Sequence, residues 1–158
     1  MRERTPGEAT PRDDAIRLLA RREYARAELA ERLAAKGHAA AEVEACLDAL
    51  AREGLQSDAR FAESFLRSRL ARGQGPVKIR LELERRGVER ELVAAAFAEQ
   101  EAGGATDWFA LAAETLARRF SGPGDSPRER ARRERFLAGR GFDFDQVRHA
   151  LAHAWDDA

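Results

Sequence analysis

The sequence predicts an all-α protein, an elongated tandem array of three three-helix units, straight or curved. Three observations predict it. Hydrophobic residues fill 44% of the 158 positions and charged residues 35%, and the 12 glycines and 5 prolines punctuate the chain without forming tracts. That composition favours helix over disorder. Between the punctuation, apolar residues recur every three or four positions, the interval that lines one face of a helix. The pattern also repeats: with Gly37, Gly87 and Gly141 set equal, Leu33, Leu83 and Leu137 coincide four residues earlier and Val43, Val93 and Val147 six residues later. Leu47, Phe97 and Leu151 match ten later, and Ile16, Leu66 and Phe120 twenty-one earlier. Units of this size bury little apolar surface alone, so neighbours must pack on one another.

Residues 1–12 are polar, with two prolines, and read as a disordered lead-in; the units follow at 13–54, 55–102 and 105–158. Thr10-Pro11-Arg12-Asp13 opens the first helix with a capping hydroxyl, a proline where an N–H would lack an intrahelical partner, and an acid in the first turn. That helix, over 11–22, is expected to bury Ile16 and Leu19. The second, 26–36, presents Leu29 and Leu33; the third, 40–53, presents Val43, Cys46, Leu47 and Leu50 and stops at Gly54. Ser57 caps a fourth helix reaching residue 71, with Phe61, Ala62, Phe65 and Leu66 inward. Residues 89–101 supply the sixth, Thr106 caps the seventh, Ser126-Pro127-Arg128-Glu129 opens the eighth, and the ninth spans 143–156. The glycine shared by the units is expected to be a left-handed C-cap. Arg133 breaks the register, standing where Leu29 and Ile79 stand in the other units.

The fifth helix belongs to the most informative stretch, Gly73 to Val88. Gly73 and Gly75 suit a tight entry loop, Pro76 the first helical position, and Gly87 the stop. Pro76, Ile79 and Leu83 share one face, Lys78 and Arg85 lie opposite, and Glu82 can pair with Arg86 one turn on. The run Gly-x-Gly-Pro-x-x-Ile-x-x-Glu-Leu-x-x-Arg-Gly resembles the signature of the RecX family, small bacterial regulators of the RecA recombinase. Leu55 to Phe65 is similar to that family's L-x-x-D-x-R-F-A-x-x-F block, and Tyr24 to Leu29 with Leu33 and Gly37 to a third. The family usually has serine where Ala25 stands, so an N-cap worth about 1 kcal/mol is expected to be missing there.

The resemblance implies a protein without catalytic activity; a monomer of the cytoplasm without a cofactor is expected. It implies binding along the groove of the RecA filament on single-stranded DNA. There the protein would inhibit filament extension, ATP hydrolysis, strand exchange and co-protease activity, and so act in recombinational repair and the SOS response. Single- or double-stranded DNA is a further candidate partner. The alternative from another class is a helical DNA-binding module that needs no RecA, since three-helix units can present a recognition helix to a groove.

The residues themselves bound these readings. No apolar run is long enough to span a bilayer, and the first residues lack the apolar core of a secretory signal. The single cysteine, Cys46, excludes an internal disulfide and reads as a buried small hydrophobe. Gly73-x-Gly75 follows no strand and precedes no Gly-Lys-Ser/Thr, so it is not a phosphate cradle. His149 and His153 stand one turn apart, half of a metal site, but no HExxH accompanies them and no metal is assigned. No pair of carboxylates stands out for acid–base work.

Net charge is zero, yet its distribution is uneven. Residues 67–90 carry eight basic and three acidic side chains, and 118–140 carry the same, whereas 91–117 hold five acidic and no basic ones. Such segregation steers binding towards an anionic or mixed-charge surface. From these segments Arg67, Arg72, Lys78, Arg85, Arg86, Arg128, Arg132, Arg135 and Arg140 are the candidate contacts to the RecA filament or nucleic acid. Arg69 lies towards the apolar side of its helix and reads as structural. No aromatics are interleaved with either basic set, so phosphate or acidic protein fits better than base stacking.

Overall fold

The computed structural model describes residues 8–157, in which the secondary structure is helical throughout. In chain order the helices are α1 (Pro11–Leu19), α2 (Arg26–Ala35), α3 (Ala40–Arg52), α4 (Asp58–Ala71), α5 (Pro76–Arg85), α6 (Arg90–Glu101), α7 (Trp108–Arg119), α8 (Pro127–Arg140) and α9 (Phe144–His153), with a 3-10 turn at Ala102–Gly104. They form an all-α tandem array: α1–α3 around one core, α4–α6 around a second, α7–α9 around a third. The solvent-accessible area is 9930 Å². A compact monomer of 17.6 kDa would expose about 7,900 Å², so the array is extended.

The repeated glycine closes each unit's second helix in the same way. Gly37, Gly87 and Gly141 have φ of 90°, 82° and 100°. Each glycine N–H reaches the carbonyl three residues back, and the next N–H reaches that of Leu33, Leu83 or Leu137. These are the two bonds of a Schellman motif. The leucine whose carbonyl ends the helix is also the fully buried anchor of its unit.

Several local expectations need correction. Residues 1–7 of the proposed lead-in lie outside the described residues, but Pro11 and Arg12 are already helical, capped by Thr10. The first helix ends at Leu19, and Ile16 points to solvent, 41% exposed. Pro11, Asp14 and Ala15 form the buried stripe instead, because α1 meets α2 and α3 on the face one residue round from Ile16. Cys46 is half-buried beside the unit 1 core. Asp107, not Thr106, caps α7; the Thr106 hydroxyl accepts from Gln100 Nε2 at 2.9 Å. Glu82 lies 3.6 Å from Arg69 Nε, not beside Arg86, whose guanidinium sits over the Phe65 ring. The outward face of α5 is not purely charged, since Val77 and Leu81 are exposed there. Arg133 replaces a core aliphatic by lying 4.4 Å over the Phe120 ring and donating to the carbonyls of Gly122 and Glu129, which ties down the loop before α8.

Unit 2 holds the array together. Its core takes in Ala25 from unit 1 and Trp108 from unit 3, the latter stacked 5.7 Å from Phe97. The missing serine cap at Ala25 is compensated across this joint. The Arg26 N–H donates to Asp58 Oδ1 at 2.8 Å, and Glu28 accepts from the Ala25 N–H. Asp58 also accepts from Gln56, whose amide donates to the Tyr24 carbonyl. At the other joint the end of α8 meets the start of α5. The Gly75 N–H donates to the Arg140 carbonyl at 2.8 Å and the Val77 N–H to the Gly141 carbonyl at 2.9 Å. Unpaired donors of one helix thus satisfy unpaired acceptors of another.

Candidate functional site: the arginine-lined joints

The Gly73-x-Gly75 loop exists for this second joint. A Cβ on Gly75 would lie 2.4 Å from the Gly141 carbonyl carbon and oxygen, and one on Gly141 would collide with Lys78. Two backbones therefore touch where side chains would hold them apart. Arg140, in the last turn of α8, donates from Nη2 to the Arg72 carbonyl and completes the contact. The glycines are joint residues.

A cleft of about 340 Å³ opens beside this contact. Arg72 and Gly73 line it from unit 2; Thr115, Arg118, Arg119, Phe136 and Arg140 line it from unit 3. Four guanidinium groups face it and no carboxylate does. Among the described residues the side chains of Arg72 and Arg118 have no ion-pair or hydrogen-bond partner, and the buried Nε of Arg140 has no acceptor. Phe136 lies beneath Arg119 and Arg140, at 6.0 and 5.9 Å.

A second cleft, about 330 Å³, lies at the joint of units 1 and 2. Arg22 enters it from unit 1, stacked 3.6 Å over Tyr24. Arg69, Arg72 and Arg86 enter from unit 2, the first and last over Phe65 at 4.5 and 4.7 Å. Its one acid, Glu23, is already paired with Arg60 at 2.7 Å. Arg72 lines both clefts, so they adjoin.

Of the sequence-predicted contacts, Arg72, Arg86 and Arg140 come together in these clefts. Arg67 is exposed on α4, and Lys78 and Arg85 occupy the outer face of α5, Lys78 half-buried against Gly141. Arg128, Arg132 and Arg135 are exposed along α8 and line neither cleft, Arg132 lying 5.7 Å from the Phe120 ring centroid. Arg22, Arg118 and Arg119 are not among the candidates from sequence, and Arg69, which reads there as structural, lines the unit 1–unit 2 cleft. Nothing in the local spacing marks them, because each faces arginines from another unit. Aromatics are in fact interleaved with the arginines, but in space and beneath them: Phe65, Phe120 and Phe136 serve as platforms for guanidinium groups.

Among the described residues no three His, Cys, Asp or Glu side chains are grouped to hold a metal. His149 packs edge-on against Phe109 and His153 bonds Asp156. No helix of the described residues is long and apolar enough to cross a membrane.

An extended array of three-helix units with cationic clefts at its joints is the architecture of a binding protein. The comparisons with known proteins are more specific. Family models for the first, second and third three-helix domains of RecX match residues 12–50, 57–96 and 105–151. The chain belongs to the RecX family. It is 66% identical to the regulatory protein RecX of Chromohalobacter salexigens, over 95% of this chain and 96% of that one, and 49% identical to that of Halorhodospira halophila, over 92% and 89%. The fold matches the crystal structure of RecX from Lactobacillus salivarius with a TM-score of 0.71 at 22% identity, covering 91% of this chain and 94% of that one. The relatives are named as regulatory proteins and not as enzymes.

Proposed function

We propose that this chain is a negative regulator of RecA. It lies along the groove of the RecA filament on single-stranded DNA and inhibits filament extension, ATP hydrolysis, strand exchange and co-protease activity. The observation that carries the reading is family membership across all three domains. The shape supports it: an extended array with cationic clefts at both joints can follow a repeating surface, whereas a compact sphere could touch it only locally. The protein acts by occupancy, in the cytoplasm, without catalysis or cofactor.

Lys78 and Arg85 are the contacts we assign to the filament protein. They flank the exposed Val77 and Leu81, and a basic rim around an apolar centre suits a protein partner. The alternative is a helical DNA-binding module that needs no RecA; for the third helices of units 1 and 2 as its reading elements it is opposed by charge. Those helices carry Glu42, Glu44 and Asp48 in α3 and Glu91, Glu99 and Glu101 in α6, which a phosphate backbone repels.

The test is ATP hydrolysis by preformed RecA filaments on single-stranded DNA as this protein is titrated in. Loss of hydrolysis well below one molecule per RecA is expected. Undisturbed hydrolysis at equimolar protein would refute the proposal. The double charge reversal Lys78→Glu/Arg85→Glu is expected to weaken inhibition at least tenfold while the helical fold survives by circular dichroism; full inhibition by that folded variant would remove these two residues from the interface.

A further inference from the structure

The two joints are held by opposite means. Across the joint of units 1 and 2 the side chains attract: Glu23 pairs with Arg60 at 2.7 Å, Asp58 accepts from the Arg26 N–H, and Ala25 is buried in the core of unit 2. Across the joint of units 2 and 3 they repel. Arg72 faces Arg118, Arg119 and Arg140 in a cleft with no carboxylate in its lining, and like charges so gathered favour separation.

What opposes them is small. Trp108 and Leu111 are the apolar residues of unit 3 that pack on the core of unit 2. Beyond them the closed joint rests on hydrogen bonds to backbone carbonyls, from the Gly75 N–H to Arg140, from the Val77 N–H to Gly141 and from the Arg140 guanidinium to Arg72. Water can replace bonds of this kind at little net cost. The connection between the units can also turn. Gly103 and Gly104 have φ of 68° and 77°, are exposed, and have no heavy atom within 4 Å of where either Cβ would lie. Glycine changes φ and ψ there without steric penalty, and a few such residues absorb a domain rotation. Trp108 stands just beyond them, seated beside Phe97 and bonded to Glu101, so a fixed point adjoins the turning one.

We propose that the joint of units 2 and 3 is a hinge set by ionic strength. Gly103 and Gly104 turn, Trp108 is the pivot, the hydrogen bonds of Gly75, Val77 and Arg140 are the latch, and the arginines of the cleft are the spring that opens it. Salt weakens the spring far more than the latch, because the screening length falls from about 30 Å at about 0.01 M salt to about 3 Å at about 1 M. The latch lies largely between neutral backbone groups. Unit 3 therefore swings out at low salt and closes at high salt. Closure half-buries Lys78 against Gly141; opening uncovers it together with the first turn of α5. Such a hinge goes beyond the regulatory reading and does not rest on it, since the isolated chain turns without a partner.

Spin labels and pulsed electron paramagnetic resonance measure the motion in the full chain. In a Cys46→Ala background, which removes the single native thiol, labels on Ala95→Cys and Ala152→Cys span units 2 and 3 from exposed positions of α6 and α9. Labels on Ala41→Cys, exposed on α3, and Ala95→Cys span units 1 and 2. The first pair is expected to show two distances, one of them gaining about threefold or more in share as salt falls from about 1 M to about 0.01 M. The second pair is expected to keep one distance throughout. Arg72→Gln/Arg118→Gln should abolish the salt response by removing the spring, and Gly75→Ala should keep the open distance at high salt by breaking the latch.

A single distance between units 2 and 3 at every salt concentration would overturn the proposal. So would an equal response at both joints, which would be general loosening, or an undiminished response in Arg72→Gln/Arg118→Gln, which would put its cause outside the cleft. Circular dichroism checks that each variant is folded; if Gly75→Ala is not, the wild-type salt series and the arginine variant still decide. No RecA or nucleic acid is present, so failure of the hinge and failure of the regulatory reading are separate results.

Discussion

Single residues carry two unlike kinds of constraint. Gly37 has a φ of 90° and open space where a Cβ would go, whereas Gly75 has an ordinary φ of −86° and the Gly141 backbone 2.4 Å from that point. Gly37→Ala is expected to cost about 1–2 kcal/mol through backbone conformation alone. Gly75→Ala is expected to cost about 1–3 kcal/mol by forcing units 2 and 3 apart, because neither backbone can yield as a side chain would. Thermal midpoints measure both. Only the second should also raise hydrogen exchange at the Val77 amide, which bonds across the joint. Asp14 supplies a pH dependence. It is buried against His38, Nε2 to Oδ2 2.6 Å, with Lys36 at 3.6 Å. The hydrogen bond from His38 holds its carboxyl below the usual carboxylate range despite burial. A carboxyl depressed in the folded state adds stability that is full above its unfolded value, about 3.9, and is lost as pH falls through the folded one. Urea unfolding should therefore show stability declining from about pH 4 downwards, less steeply in Asp14→Asn.

The helices of this chain depend on their neighbours for their ends. The N-terminus of α2 has no capping side chain of its own, since Ala25 is buried in the core of unit 2. Its Arg26 N–H is satisfied by Asp58, the first residue of α4. Asp58→Ala is expected to destabilise the protein by about 1–2 kcal/mol, the worth of an N-cap. The denaturant midpoint measures the loss, and faster exchange of the Arg26 amide locates it in α2. The resemblance to a family with serine at residue 25 foretold an absent cap. It could not foretell the replacement, because the acceptor stands 32 residues further along the chain.

At the scale of the whole molecule, three cores share residues across two joints. Trp108 begins α7 but packs in unit 2 and donates from Nε1 to Glu101 at 2.7 Å. Trp108→Ala is expected to cost about 3–5 kcal/mol and to separate one unfolding transition into two, since it removes the side chain that joins two cores. Calorimetry distinguishes this from uniform destabilisation, in which one transition would merely move to lower temperature.

The sequence by itself determined the all-α class, the threefold repeat, its glycine stops and the family, because apolar spacing, caps and left-handed glycines act within a turn or two of chain. It also marked two basic segments. Tertiary structure alone decided that Ile16 faces water, that Arg133 lies on Phe120, and that Arg22, Arg72 and Arg118 line adjoining clefts. Each of those outcomes depends on how one unit or helix is rotated against the next. That rotation is set by a few contacts between residues far apart in sequence, Ala25 with the unit 2 core, Trp108 with Phe97, and Gly75 with Gly141. Periodicity records which face of a helix is buried; it carries no information about what lies across the joint.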